Sequence, residues 1–115
     1  MCIENLGNRV KGPIVAWKIF RYDRNRRLTG VAINFKYKIG QTVQKCKTLS
    51  PGFQAFVNRE DAEYAITQTW LTGCVVRKVL LYDAALGVIK GMDSFCDGKP
   101  GWDANKICVP RKRKD

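Results

Sequence analysis

The sequence predicts a single α+β domain, a mostly antiparallel sheet of five or six strands with one main helix, about 59–71, packed on one face. The length of 115 residues suits one domain with one core. Short β-branched and aromatic runs alternate with Gly, Pro and Asp, and one segment carries helix-start signals. The domain spans 13–110, between a flexible N-terminal arm at 1–12 and a basic tail at 111–115.

The first half of the domain is predicted to contain strands. Residues 13–22, PIVAWKIFRY, are rich in β-branched and aromatic residues, which favour strands. Residues 23–30 are polar and predict a turn. Residues 31–40 alternate between apolar and polar positions, which is typical of a strand with one face in water. Residues 41–49 are consistent with a further short strand.

The stretch SPGFQAFVNREDAEYA, residues 50–65, predicts a turn followed by a helix. Phe53 and Phe56 are expected to pack the helix entrance onto the sheet. Asn58 is a favourable N-cap residue, and Asp61 stands three positions later, as in a capping box. Acidic residues in the first turn offset the helix dipole, which weakens the alternative that this end binds an anion. Gly73 is expected to follow the end of the helix.

The second half predicts a hairpin, a loop and a last strand. Residues 74–83, CVVRKVLLYD, are the most strand-like run of the chain. Residues 86–91 are predicted to be the hairpin partner of that run. Residues 92–104 are rich in Gly, Pro and Asp and predict a loop. Residues 105–110 offer a short final strand.

Charge is the strongest feature of the composition. The chain has 21 Lys and Arg against 10 Asp and Glu, a net charge of +11. A net positive charge of this size favours a polyanionic partner, such as RNA, DNA, a nucleoprotein or an acidic protein face. The charge can also serve solubility alone. It excludes a protein that mimics DNA.

The residue types limit the available chemistry. The chain contains no histidine, which removes Ser-His and Cys-His nucleophiles and every His metal ligand. Five widely spaced cysteines, with no CxxC pair, form neither a disulfide framework nor a zinc motif, although four cysteines assembled in space can still hold zinc. Cys96 is expected to be the most exposed thiol. The sequence therefore predicts no cofactor, metal or catalytic residue, and an enzyme that acts on a nucleotide is the least favoured alternative.

Two basic clusters are the main candidates for binding. Arginines crowd the first predicted turn more densely than a turn requires, and arginine suits bidentate contacts to phosphate. Two lysines on the polar face of the next strand can extend this cluster, or can form a solvated, edge-protecting face. The basic tail can bind phosphate, act as a nuclear localisation signal, or remain a disordered solubilising end. The candidate residues are Arg21, Arg24, Arg26, Arg27, Lys36, Lys38, Arg111, Lys112, Arg113 and Lys114.

Trp102 is the aromatic candidate of the sequence. It lies in GKPGWDAN, within the predicted loop. An exposed indole there can stack on a base or anchor in a protein partner. The alternative is that the indole covers the core.

A set of short motifs resembles a group of small uncharacterised proteins of bacteriophages and large viruses. The motifs are Tyr37-x-x-Gly40, Gly52-Phe53-x-x-Phe56, Glu60-Asp61-Ala62, a Val-rich strand and Gly87-Val88-Ile89. The resemblance spans about residues 15–109. Gln54 stands where that group usually has His, so chemistry that depends on this His is absent here. The resemblance implies a viral or mobile-element context and carries over no activity.

These observations lead to three hypotheses. The first is a small basic, non-enzymatic binding protein of phage or viral type that engages nucleic acid or a nucleoprotein complex. The second is a viral protein–protein inhibitor of a host defence factor, and the third is a small enzyme acting on nucleotides. No apolar run approaches the roughly 20 residues of a membrane span, and the first residues lack a hydrophobic h-region, so no signal peptide is expected. A cytoplasmic location is expected, or a nuclear one if the host is eukaryotic.

Overall fold

The computed structural model describes residues 2–31, 36–44, 52–67, 73–91 and 96–111. Within these ranges the chain forms a mostly antiparallel sheet with one short helix, where the sequence predicts five or six strands and a longer helix. The elements are β1 (Cys2–Glu4), β2 (Arg9–Val10), β3 (Ile14–Tyr22), β4 (Leu28–Gly30), β5 (Lys36–Tyr37), β6 (Thr42–Gln44), β7 (Phe53–Phe56), α1 (Arg59–Ala65), β8 (Val75–Lys90) and β9 (Pro100–Cys108). No helix in these ranges has the length and apolar character that crossing a membrane requires.

The long strand β8 organises the sheet. One of its edges pairs with β3, from Phe20 opposite Val75 to Ile14 opposite Leu81. Its other edge pairs with β9, the last pair being Val88 with Pro100. Strand β7 pairs with β9 and, at a single position, with β3, so the pairings β3–β8–β9–β7–β3 form a closed ring. Strands β4 and β5 extend the sheet beyond β3, and β6 pairs with β9.

Two short strands lie within residues 1–12, the segment that the sequence predicts as a flexible arm. Strand β1 pairs with residues 88–90 of β8, and β2 pairs with Ala84 and Ala85. They continue the edge of β8 that β3 occupies farther along the strand. Short strands of this kind carry too little periodicity to be predicted from sequence.

The predicted hairpin between 74–83 and 86–91 is wrong, because both segments belong to β8. The chain is irregular at Asp83, which has a φ of 52°, but it does not reverse there. The Asp83 N–H donates to the Lys11 carbonyl oxygen at 3.1 Å, and pairing with β9 continues on both sides. The true partner of β8 is β9, so the predicted loop over 92–104 is wrong from Pro100 onward; residues 92–95 lie outside the described ranges.

The stretch from 52 to 67 forms strand β7 and helix α1. Asn58 is the N-cap as predicted, but its side chain donates to the Asp61 carboxylate at 3.4 Å and makes no cap hydrogen bond to the backbone. The helix ends at Ala65, earlier than predicted, and residues 68–71 lie outside the described ranges. The Thr67 N–H and hydroxyl both donate to the Tyr64 carbonyl, at 3.0 and 2.7 Å, which closes a tighter turn and ends the helical bonding there.

Two apolar clusters hold these elements together. The first draws residues from all four strands of the ring and fills its interior; its largest members include Phe20, Leu28, Leu81 and Ile107. The second lies on the other face of the sheet, where Ala62 and Ala65 of α1 meet residues of the strands, including Ile3, Ile19, Phe56 and Ile89. The helix presents alanines to this cluster, so its backbone can lie close to the sheet.

Candidate nucleic-acid interface

The turn between β3 and β4 is held by a closed set of hydrogen bonds. The Asp23 N–H donates to the Arg27 carbonyl at 2.9 Å, and the Arg26 N–H donates to the Asp23 carbonyl at 3.1 Å. The Asp23 carboxylate accepts from the backbone N–H of Asn25 at 2.8 Å and of Arg27 at 2.9 Å. A three-residue loop, Arg24 to Arg26, therefore projects from a fixed frame.

Asp23 remains ionised in this frame. The hydrogen bond from the Arg27 N–H lowers its pKa, and the Asn25 N–H and the charges of Lys36 and Arg27 act in the same direction. The carboxylate is engaged by the backbone of its own turn. The Asp23 carboxylate therefore has a structural role in this turn, among the arginines that surround it.

Arg26 occupies a backbone conformation that favours glycine or asparagine. Its φ is 59°, the left-handed position that closes a three-residue hairpin loop. A residue with a Cβ pays about 1 kcal/mol or more for this conformation. Arginine stands at a site where a smaller residue fits the turn better, so its side chain is a candidate for a role outside the turn.

The strand register brings the lysines of β5 to the same surface. Arg21 is paired with Thr29, and Thr29 with Lys36, so the three lie in one row across β3, β4 and β5. Lys38 directly follows β5 and Arg27 directly precedes β4, which places both at one end of this antiparallel pair. Residues that are separate in the sequence thus share a surface about 10 Å wide, two strand spacings.

The C-terminal end of β9 adds a further arginine. The Gly40 N–H donates to the Val109 carbonyl at 2.7 Å, which joins the Lys38–Gln41 turn to the chain after β9. The Arg111 Nε lies 3.7 Å from the position that a Cβ would occupy at Gly40. Arg111 therefore lies beside the turn that follows β5; Lys112, Arg113 and Lys114 lie outside the described ranges.

We call this surface the basic patch. All of its side chains are exposed to solvent. Its members are Arg21, Arg24, Arg26, Arg27, Lys36, Lys38 and Arg111.

Sequence reasoning placed one exposed-aromatic candidate in the wrong element and overlooked another aromatic residue. Trp102 lies in β9 between Leu86 and Ala55, half-buried and packed against the first cluster, and not in a loop. This placement favours the interpretation that the indole covers the core. Tyr22, which sequence reasoning missed, is 44% exposed directly before the Asp23 turn. The available signal was its position at the last residue of a strand, directly after Arg21 and before the three arginines of the turn.

A polar row crosses the sheet at another place. Arg9, Ala85, Asp103 and Gln54 are successive cross-strand partners on β2, β8, β9 and β7. Because Ala85 is small, the Arg9 guanidinium reaches over it to Asp103, with Nη2 to Oδ1 at 3.6 Å. The other Asp103 oxygen accepts from the Gly52 N–H at 3.2 Å. Asp103 is only 5% exposed, and this row fixes both β2 and the start of β7.

The cysteines and acids do not converge in the described part of the chain. Cys74 is buried and Cys108 is half-buried, whereas Cys96, predicted to be the most exposed thiol, is fully buried. That prediction is wrong because Cys96 packs in the second cluster with Ile3 and Ile89. Over the described residues, no group of three metal-ligating side chains comes together.

Comparison with known proteins adds no relative. No protein-family model, curated protein or solved structure matches the chain.

Proposed function

We propose that this protein is a small basic binding protein, of phage or viral type, that engages nucleic acid or a nucleoprotein complex through the basic patch. One observation carries the proposal: cations from the 21–27 segment, the 36–38 segment and Arg111 share one exposed surface. Guanidinium groups in such an array bind phosphates at several points along a backbone. The left-handed Arg26 supports the same role, because the turn alone gives no reason for an arginine there.

The largest contribution to binding of this type is electrostatic and does not depend on the nucleotide sequence. Each neutralised phosphate releases counterions, so affinity depends on the number of contacts and on salt. The fixed Asp23 frame reduces the entropy lost when the arginines of the loop bind.

The test is fluorescence anisotropy with labelled single-stranded RNA, single-stranded DNA and duplex DNA. The double variant Arg27→Gln with Lys38→Gln removes two charges from one end of the patch. Lys11→Gln with Lys90→Gln removes two exposed charges elsewhere, before β3 and at the end of β8. We expect the patch variant to bind about tenfold more weakly than the control variant, equal to about 1.4 kcal/mol. Equal affinities of the two variants would contradict the proposal.

A protein partner is the second candidate, because exposed Tyr22 adjoins the arginines of the turn. Tyrosine and arginine are enriched in the hot spots of protein interfaces. In that case the protein is an inhibitor of a host factor, and charge steers the encounter. A pull-down from nuclease-treated host lysate separates the two candidates: retention of one defined partner, lost in Tyr22→Ala, supports this second candidate over the first.

A further inference from the structure

The basic patch borders an exposed aromatic side chain. Tyr22 is the last residue of β3, and it is 44% exposed. Phe20, two residues earlier and on the same face of the strand, is fully buried in the first apolar cluster. Leu28, the direct partner of Tyr22 on β4, is buried in the same cluster. Tyr22 therefore lies at the rim of the core, where its aromatic face meets solvent.

The Tyr22 side chain has no stacking partner and no hydrogen bond among the described residues. Other aromatic residues of the core do pack on one another. Tyr37 lies edge to face with Phe20, with ring centroids 5.1 Å apart, and with Phe53, at 6.1 Å. The fold thus leaves the aromatic face of Tyr22 accessible to a ligand.

The arginines of the Asp23 turn are the immediate neighbours of Tyr22. Tyr22 and Leu28 form the last pair of β3 and β4. Asp23 and Arg27 are joined one residue farther on, about 3.4 Å along the strands. From them projects the loop 24–26, whose base is fixed by the Asp23 carboxylate. The aromatic side chain and the loop arginines therefore lie at the same end of the β3–β4 hairpin, on one fixed backbone frame.

We propose that the ligand of the basic patch is a single-stranded nucleic acid and that one of its bases stacks on Tyr22. This inference rests on the function proposed above and specifies its ligand. In a duplex the bases are paired and stacked on one another, whereas the unstacked bases of a single strand can stack on an aromatic side chain. A cationic surface that follows the backbone, with an aromatic side chain beside it, is the combination that binds single strands.

The cations and the tyrosine contribute to binding in different ways. Phosphate contacts of the basic patch release counterions and set the slope of log K against log salt. Stacking of a base neutralises no phosphate. Removal of the Tyr22 side chain should therefore lower the affinity for a single strand and leave that slope unchanged, whereas removal of patch cations changes the slope.

The first experiment measures binding by anisotropy for Tyr22→Ala and for a matched control, Tyr64→Ala. Tyr64 is equally exposed, at 44%, but belongs to α1, outside the basic patch. We expect Tyr22→Ala to bind a single strand about tenfold more weakly than the control, equal to about 1.4 kcal/mol, and duplex DNA equally well. Tyr22→Phe keeps the aromatic face and should bind as the natural chain does. Parallel titrations with RNA and DNA strands show which of the two loses more affinity and is the preferred ligand.

The second experiment compares a DNA single strand with an abasic strand of the same length, which keeps the phosphates and lacks the bases. The natural chain should prefer the strand with bases by about tenfold, because only that strand can stack. Tyr22→Ala should lose this preference and retain the salt slope of the natural chain.

Two results would overturn the stacking role of Tyr22. One is equal affinity of Tyr22→Ala and Tyr64→Ala for single strands, and the other is a loss on duplex DNA as large as that on single strands. Both leave the charge variants of the basic patch unaffected, so this failure is distinguishable from a natural chain that binds no nucleic acid, which would overturn the proposed function as well. If Tyr22→Ala does not fold, Tyr22→Leu keeps apolar bulk at the rim, loses the aromatic face and gives the same decision.

Discussion

Arg21 and Lys36 lie in one cross-strand row, one on each side of Thr29. Thr29 is buried, and its hydroxyl donates to the Arg21 carbonyl at 3.1 Å, so the strand that separates the two cations is fixed to its neighbour. The row turns a local cluster of arginines into a surface that spans three strands. The functional account depends on this surface.

The strained conformation of Arg26 predicts opposite effects on stability and binding. Asparagine tolerates the left-handed region better, so Arg26→Asn should retain or raise the free energy of unfolding, by up to about 1 kcal/mol, and weaken binding to oligonucleotides. Urea unfolding and anisotropy measure the two effects. Arg24→Asn is the matched control, because Arg24 does not have a positive φ: the substitution should weaken binding with no gain in stability. A less stable Arg26→Asn with unchanged binding would contradict this role.

The close approach at Gly52 predicts a selective cost. A Cβ at Gly52 would lie 2.4 Å from the Ala104 carbonyl oxygen and 2.8 Å from the Asp103 Oδ1. Gly52→Ala should therefore lower the free energy of unfolding by about 1–3 kcal/mol. Gly7→Ala should change it little, because a Cβ there would lie 3.7 Å from the Leu86 carbonyl oxygen, an ordinary contact distance. Equal stabilities in chemical denaturation would argue against this packing.

Loss of the Asp103 carboxylate should destabilise the fold. Asp103→Ala leaves the Gly52 N–H without its acceptor and removes the ion-pair partner of the Arg9 guanidinium, at a cost of about 1–3 kcal/mol in the free energy of unfolding. Glu63→Gln breaks an exposed i,i+4 pair with Arg59 and should cost no more than about 0.5 kcal/mol. Thermal and urea unfolding of both variants test the difference, and a neutral Asp103→Ala would show that the row is dispensable.

The lowered pKa of Lys18 predicts a stability that rises with pH. Burial gives the folded chain a pKa of about 8 at this group, against 10.5 as its ordinary value. Between these values the unfolded chain holds a proton that the folded chain has released, so the free energy of unfolding increases with pH. The increase is at most about 3 kcal/mol, and less because Lys18 is half-buried.

The measurement is the difference between the natural chain and Lys18→Met, followed by urea unfolding from pH 7 to 10.5 in a phosphate-free buffer. Other titrating groups cancel in this difference. A difference that is flat, or that changes in the opposite direction, would show that Lys18 is not desolvated in the folded chain.

The sequence predicts elements whose signals are local. Strand β3 appears within one residue of its predicted bounds, because its β-branched and aromatic run is continuous. Helix α1 begins where Asn58 indicates, but its end depends on the bonds of Thr67 to Tyr64, which periodicity does not show. The hairpin predicted between 74–83 and 86–91 is wrong, because the irregular backbone at Asp83 is absorbed within one long strand.

The basic patch likewise combines residues that local sequence could predict with residues that only the sheet register brings together. The arginines of the Asp23 turn are adjacent in the sequence and could be predicted as a cluster. Lys36 joins them only through the β3–β4–β5 register. Register between distant strands is a property of the whole sheet, so short sequence windows do not contain it.

The salt dependence of oligonucleotide binding tests the central claim most directly. The natural chain, and the variant Arg27→Gln with Lys38→Gln, are titrated by anisotropy against one labelled duplex over a range of salt concentrations. The account predicts that log K falls linearly with log salt, and that the variant loses about 0.9 of slope for each phosphate contact removed. Binding that is absent at physiological salt, or a slope that is unchanged by the variant, would contradict a nucleic-acid role for the basic patch.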